Sequence, residues 1–128
     1  MSAPEKAIPA REAAYLVLRQ VDGENAYANL ALKKFLDQHP LSPQDSRLTA
    51  EIVYGVARMR NAVDYLLAGL LTRPMSQLMP EALTILRLSL YQLHYLSKAE
   101  PYAVVDEGVK LAKKYTNLPI SKLVNGVL

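Results

Sequence analysis

Between Ala82 and Leu96 the chain reads ALTILRLSLYQLHYL, with apolar residues all round a helix drawn through it. Such a helix has no polar side to turn to water, so other elements must cover it. The segment therefore predicts a central helix over 80–97, opened by Pro80, inside a bundle of further helices. It is too short to cross a hydrocarbon layer of about 30 Å, and Arg87, Gln92 and His94 interrupt it. Arg87, desolvated there, requires a partner and reads as a structural pairing rather than a ligand contact.

The flanking segments supply the covering helices. Ala14, Val17, Leu18 and Val21 follow helical spacing until Asp22-Gly23 breaks it, and Ala28, Ala31, Leu32, Phe35 and Leu36 form a second face that His39-Pro40 stops. Ser42-Pro43-Gln44-Asp45 announces a third start: a capping serine, proline in the first turn, then an acid. The stripe Leu48, Ile52, Val56, Met59, Val63, Leu66 and Leu70 follows, as one long helix or two kinked near Asn61, ended by Arg73-Pro74. Pro101 opens a helix with Val105, Gly108, Val109 and Ala112 inward, and its Asp106, Glu107, Lys113 and Lys114 suit the helix dipole. Asn117 reads as its C-terminal cap, and Pro119 as the start of a last helix with Ile120, Leu123, Val124, Val127 and Leu128 inward. No strand pattern competes. The fold class is all-α, six to eight helices, as one domain over 11–128 behind a polar lead-in at 1–10. The chain stops in mid-stripe at Leu128 without a stop signal, which reads as a cut.

With 128 residues, one core suffices. The absence of cysteine excludes disulfides, cysteine-based zinc sites and a cysteine nucleophile in these residues, and a reducing cytoplasm is the natural setting. MSAPEKAIPAR carries no apolar secretory segment. His39 and His94 stand without metal or acid–base spacing, and no phosphate loop, nucleophile elbow or carboxylate pair is present, so neither a catalytic residue nor a metal site is expected here.

Gly55, inside the helix EIVYGVARMR, reads as a point of close packing, with Arg58 held by Glu51 or by helix-end carbonyls. Tyr91 and Tyr95 read as core. The net charge of +3 permits an anionic partner without requiring one. Lys110, Lys113 and Lys114 stand at i, i+3 and i+4 with Lys122 on the next helix, a spacing that can gather phosphate-binding cations on one face. The competing reading is a solvated face in which Asp106 pairs with Lys110.

Several ordered motifs carry a resemblance: AYANLAL at 26–32, DSRLTAEIVYGVAR from Asp45, ILRLSLYQL from Ile85, AVVDEGVKLAK from Ala103 and VNGVL at the end. They resemble the NusB-like helical domain, and in particular the N-terminal domain of the RsmB (Sun/Fmu) family of ribosomal RNA 5-methylcytosine methyltransferases. The resemblance implies a NusB-like bundle that binds ribosomal RNA and is joined to its own catalytic domain. That other domain would use S-adenosylmethionine and a cysteine nucleophile, and neither membrane nor DNA is an implied partner. It also marks Lys6 and Arg11, at the start of the first helix, as RNA-binding positions. The alternative is a NusB-type transcription antitermination factor binding RNA and a protein partner. Those factors usually carry a dense arginine cluster where this chain has only Lys6 and Arg11.

Overall fold

The computed structural model describes residues 8–24 and 27–128. Contacts divide the chain into two compact units, residues 1–54 and 55–128. Among the described residues there are seven α-helices and no strand, the all-α class expected.

The first unit holds α1 (Ala10–Glu24), α2 (Ala28–Gln38) and most of α3 (Pro43–Arg58). Helix α1 continues through Asp22 and Gly23, so the expected break comes late. It buries Ala13, Ala14, Val17 and Leu18, and α2 buries Ala31, Leu32 and Phe35. The Ser42 hydroxyl accepts from the Asp45 N–H at 3.1 Å, the cap read from the sequence. Thr49, fully buried, shares its hydroxyl proton between the carbonyls of Asp45 (2.8 Å) and Ala10 (3.2 Å), tying α3 to the start of α1.

The second unit holds the end of α3, then α4 (Arg60–Leu70), a 3-10 turn (Met75–Gln77), α5 (Pro80–Tyr95), α6 (Pro101–Tyr115) and α7 (Leu118–Val127). Helix α5 packs against α4, α6 and α7, and every residue from Thr84 to Gln92 is buried. It is the central helix of its unit, as its all-round apolarity requires. The long stripe is two helices, broken at Met59 (φ −101°, ψ 15°), within two residues of Asn61 as the sequence reading allowed. The break shifts the phase: α4 buries Val63 and Leu67, while Leu66 is only half-buried and Leu70 exposed. The helix also stops at Leu70, before Arg73-Pro74, because Leu71 is already extended (ψ 145°).

Two contacts fix α5 within its unit. Arg87 donates from Nε and Nη2 to both carboxylate oxygens of Asp64 on α4, at 2.8 and 2.9 Å, the partner its burial demanded. Gly55 lies under the buried Tyr91 ring, so close that a Cβ at residue 55 would collide with Cζ and Oη. That bears out the packing reading of Gly55. Glu51 and Arg58 both stand exposed, so Arg58 acts at most on the α3 dipole from its last turn.

The α6–α7 hairpin departs from expectation in two ways. The Asn117 side chain accepts from the Ile120 N–H at 3.0 Å, so it caps the start of α7 and not the end of α6. The buried residues of α6 are Val104, Gly108, Leu111 and Ala112, while Val105 and Val109 are only half-buried. At Gly108 a Cβ would crowd the Ser89 hydroxyl of α5 at 3.0 Å and meet the Leu128 and Val124 side chains of α7 at 3.5 and 3.7 Å, ordinary contact distances. On α7 itself Ser121 and Val124 are buried, and Ile120, Leu123, Val127 and Leu128 half-buried.

Candidate functional site

Val105 and Val109 are half-buried because they form the wall of a groove between α6 and α7, with a volume of about 430 Å³. Leu118, at the start of α7, adds apolar surface. Lys113 from α6 and Lys122 from α7 bring two exposed ammonium groups into it, and Asn125 and Tyr102 complete the lining. Helical spacing explains the set. Val105, Val109 and Lys113 recur every four residues along α6, and Leu118, Lys122 and Asn125 recur every three or four along α7. The turn at Thr116 and Asn117 folds the two stripes against each other.

Asp106 also lines the groove, but its carboxylate is held by Lys110 at 2.9 Å. The hydrogen bond that Lys110 donates to that carboxylate, then the carboxylate's charge, raises the Lys110 pKa above the ordinary lysine value. Lys110 therefore serves to neutralise the groove's acid. Lys114 lies outside the lining with its ammonium 5.5 Å from the Tyr115 ring centroid. Of the four helix lysines singled out by spacing, the structure gathers two, Lys113 and Lys122, around one concavity.

The other positions are not gathered there. Lys6 lies outside the described residues, and Arg11 belongs to the first unit, half-buried in the first turn of α1 with interaction partners already in place. His94 is exposed at the last turn of α5, its ring 6.4 Å from that of Tyr95, and His39 is exposed with its ring 4.6 Å from Phe35. Tyr91 is core, but Tyr95, stacked on it at 5.7 Å, is exposed, against expectation. Among the described residues no group of three His, Asp or Glu side chains comes together as a metal site. No helix among them is long and apolar enough to cross a membrane.

Sequence reasoning missed Tyr102, 80% exposed, and Asn125. The signal was present in Tyr102, Asp106 and Lys113, three polar-tipped residues beside two valines, but only the hairpin shows that these valines face a groove. A shallower concavity on α2, lined by Leu30, Lys33, Lys34, Asp37 and Gln38, was missed as well.

The NusB family model matches residues 8–128. The chain is 41% identical to the probable ribosomal RNA small subunit methyltransferase B of Synechocystis sp., over 94% of this chain and 27% of that protein. The Bacillus subtilis protein of the same description is 37% identical, over 92% of this chain and 26% of its own length. The chain thus spans about a quarter of these relatives. Transcription antitermination protein NusB of Coxiella burnetii is 32% identical over 76% of this chain and 70% of its own. Among solved structures, a chain in the complex of antitermination factors NusB and NusE with dsRNA superposes with a TM-score of 0.85. It is 26% identical, with 92% of this chain and 89% of that one covered.

Proposed function

Because the chain belongs to the NusB family, we propose that it is the non-catalytic RNA-binding domain of a small-subunit ribosomal RNA (cytosine-5) methyltransferase of the RsmB type. The observation that carries this reading is the 41% identity over 94% of the chain against only 27% of the methyltransferase. The likeness fills this chain and leaves most of the relative for another task. A groove with two cations and a neutralised acid supports the RNA part, since phosphate contact needs clustered positive charge in reach of solvent.

Methyl transfer itself belongs to residues outside this chain. S-adenosylmethionine would supply the methyl group there. A strand leading through a glycine-rich turn into a helix is the arrangement that commonly cradles such a cofactor. The role of this chain is to hold ribosomal RNA by about two to four phosphates and present it to the catalytic domain in the cytoplasm. Coverage of 70% favours the antitermination-factor reading more than the family match alone does. A catalytic domain encoded after residue 128 would remove that reading, and a stop codon there would remove ours.

RNA contact is tested by titrating the chain with small-subunit ribosomal RNA fragments at two salt concentrations. A Lys113→Ala/Lys122→Ala variant should bind more weakly, with the slope of log affinity against log salt reduced by about one per lysine. Binding that ignores salt, or a variant that binds like the parent, overturns the phosphate role.

A further inference from the structure

The groove holds more than phosphate chemistry requires. Two lysines would suffice for a sequence-blind backbone contact, yet an exposed tyrosine and a carboxamide line the same concavity. Gly108 lies beside Val124 and Leu128, so α6 and α7 run past one another, with Lys113 and Lys122 nearer the turn, Asn125 about level with Gly108, and Tyr102 toward the open end. Tyr102 and Lys113 are separated by eleven residues of one helix, about 16 Å along its axis. Lys122, on the other wall, lies between them.

This order of groups has one ligand chemistry. Tyr102 offers a flat ring at 80% exposure on the rim of the groove, its face open to a partner. Every nucleobase has a face that stacks on such a ring. Asn125 carries both a donor and an acceptor, the pair that reads a base edge. The two ammonium groups then meet the phosphates that follow the stacked base. Val105, Val109 and Leu118 offer apolar wall to ribose and base in between. Asp106 would repel the strand, but Lys110 holds its carboxylate at 2.9 Å. A duplex fits this pattern poorly, because its bases stack on each other and leave no free face for Tyr102.

We infer that the α6–α7 groove is a binding site for a short single-stranded segment of RNA, with one base stacked on Tyr102, its edge against Asn125 and the following phosphates on Lys113 and Lys122. This rests on the RNA-binding reading above and deepens it, from backbone contact in general to single-stranded RNA at a defined place. Tyr102 is the residue that separates the two claims, because it adds nothing to phosphate binding. It is also exposed, so its replacement does not disturb the fold.

The test is fluorescence anisotropy on the 128-residue chain with two probes, a labelled short oligouridylate and the same strand annealed to its oligoadenylate complement. The single strand should bind more tightly than the duplex. Tyr102→Ala should weaken the single strand about 5- to 100-fold, the range for loss of one base–aromatic stack, and leave the duplex unchanged. Tyr102→Phe should retain parental affinity, and Lys113→Ala/Lys122→Ala should weaken both probes. Equal affinity of the two probes, or a Tyr102→Ala variant that binds single strands like the parent, overturns the stacking site while RNA binding stands. If the parent binds neither probe nor ribosomal RNA fragments, the RNA reading falls and takes the site with it.

Discussion

Gly55 and Tyr91 show how much one absent methyl group can decide. Glycine in the interior of a helix costs about 1 kcal/mol relative to alanine. Here the Tyr91 ring, only 4% exposed, occupies the space a Cβ would need and stacks on Tyr95 at 5.7 Å, so moving it disturbs its own packing. Overpacking of that kind costs about 1–3 kcal/mol, more than the propensity gain returns. Gly55→Ala should lower stability by about 1 kcal/mol, read as a shift of the urea midpoint. In a Tyr91→Leu background the same alanine should become neutral or stabilising, and a penalty that persisted there would mean the ring is not its cause. The Arg87–Asp64 pair is decided by burial in the same way. Both oxygens of Asp64 are taken by one guanidinium at 2.8 and 2.9 Å, and the two side chains are 11% and 22% exposed. Asp64→Ala leaves that charge inside the unit and should cost about 3 kcal/mol. The pair Asp64→Leu/Arg87→Met should cost clearly less, and equal losses by urea denaturation would deny the desolvation argument. That Arg87 needs a partner is legible from an arginine in an apolar run. Which acid supplies it is not, because residue 64 meets residue 87 only through the packing of α4 on α5.

Local signals within elements were legible and relative rotations were not. Ser42 was readable as a cap because its bond to the Asp45 N–H closes within three residues. Asn117 was misassigned because a carboxamide between two helices can serve the end of one or the start of the next, and only the bond to Ile120 decides. On α6 the apolar set was read as one inward face, but of that set only Gly108 and Ala112 are buried, while Val105 and Val109 form groove wall. The helix lysines were visible as a cluster, whereas the division of labour within the cluster needed the structure. Lys110, paired with Asp106, guards the groove against its own acid. Asp106 raises the Lys110 pKa, so the contribution of the pair is fully present below the usual lysine pKa and lost only as pH rises through the raised value. Asp106→Asn removes a negative charge from the lining and releases Lys110 at once. It should tighten RNA binding about 2- to 10-fold, while the loss of an exposed helix pair, screened by solvent, should leave the urea midpoint almost unchanged. Weaker binding by anisotropy would show that the Asp106–Lys110 pair organises the site rather than protecting it.

At the scale of the whole molecule the charge balance is modest, fifteen basic against twelve acidic side chains for a net +3. Attraction to a polyanion could therefore come from that overall excess or from the few cations that share a concavity, and the two sources scale differently. A diffuse excess acts wherever the charge sits and is screened beyond about 10 Å at 0.1 M salt. A groove acts through the counterions its own lysines displace. Arg73 and Lys98 allow the comparison, since both are exposed and line neither the α6–α7 groove nor the concavity on α2, yet carry the same two positive charges as Lys113 and Lys122. For two phosphate contacts on a single strand, raising salt from 50 to 200 mM should weaken the parent about 7-fold. Lys113→Ala/Lys122→Ala should abolish most of that dependence along with the affinity. Arg73→Ala/Lys98→Ala, with an identical change in net charge, should keep both within about 2-fold, because the effect resides in displaced counterions at the groove. If the two double variants lose affinity and salt dependence alike, net charge is the source of attraction and the α6–α7 groove has no special part in it.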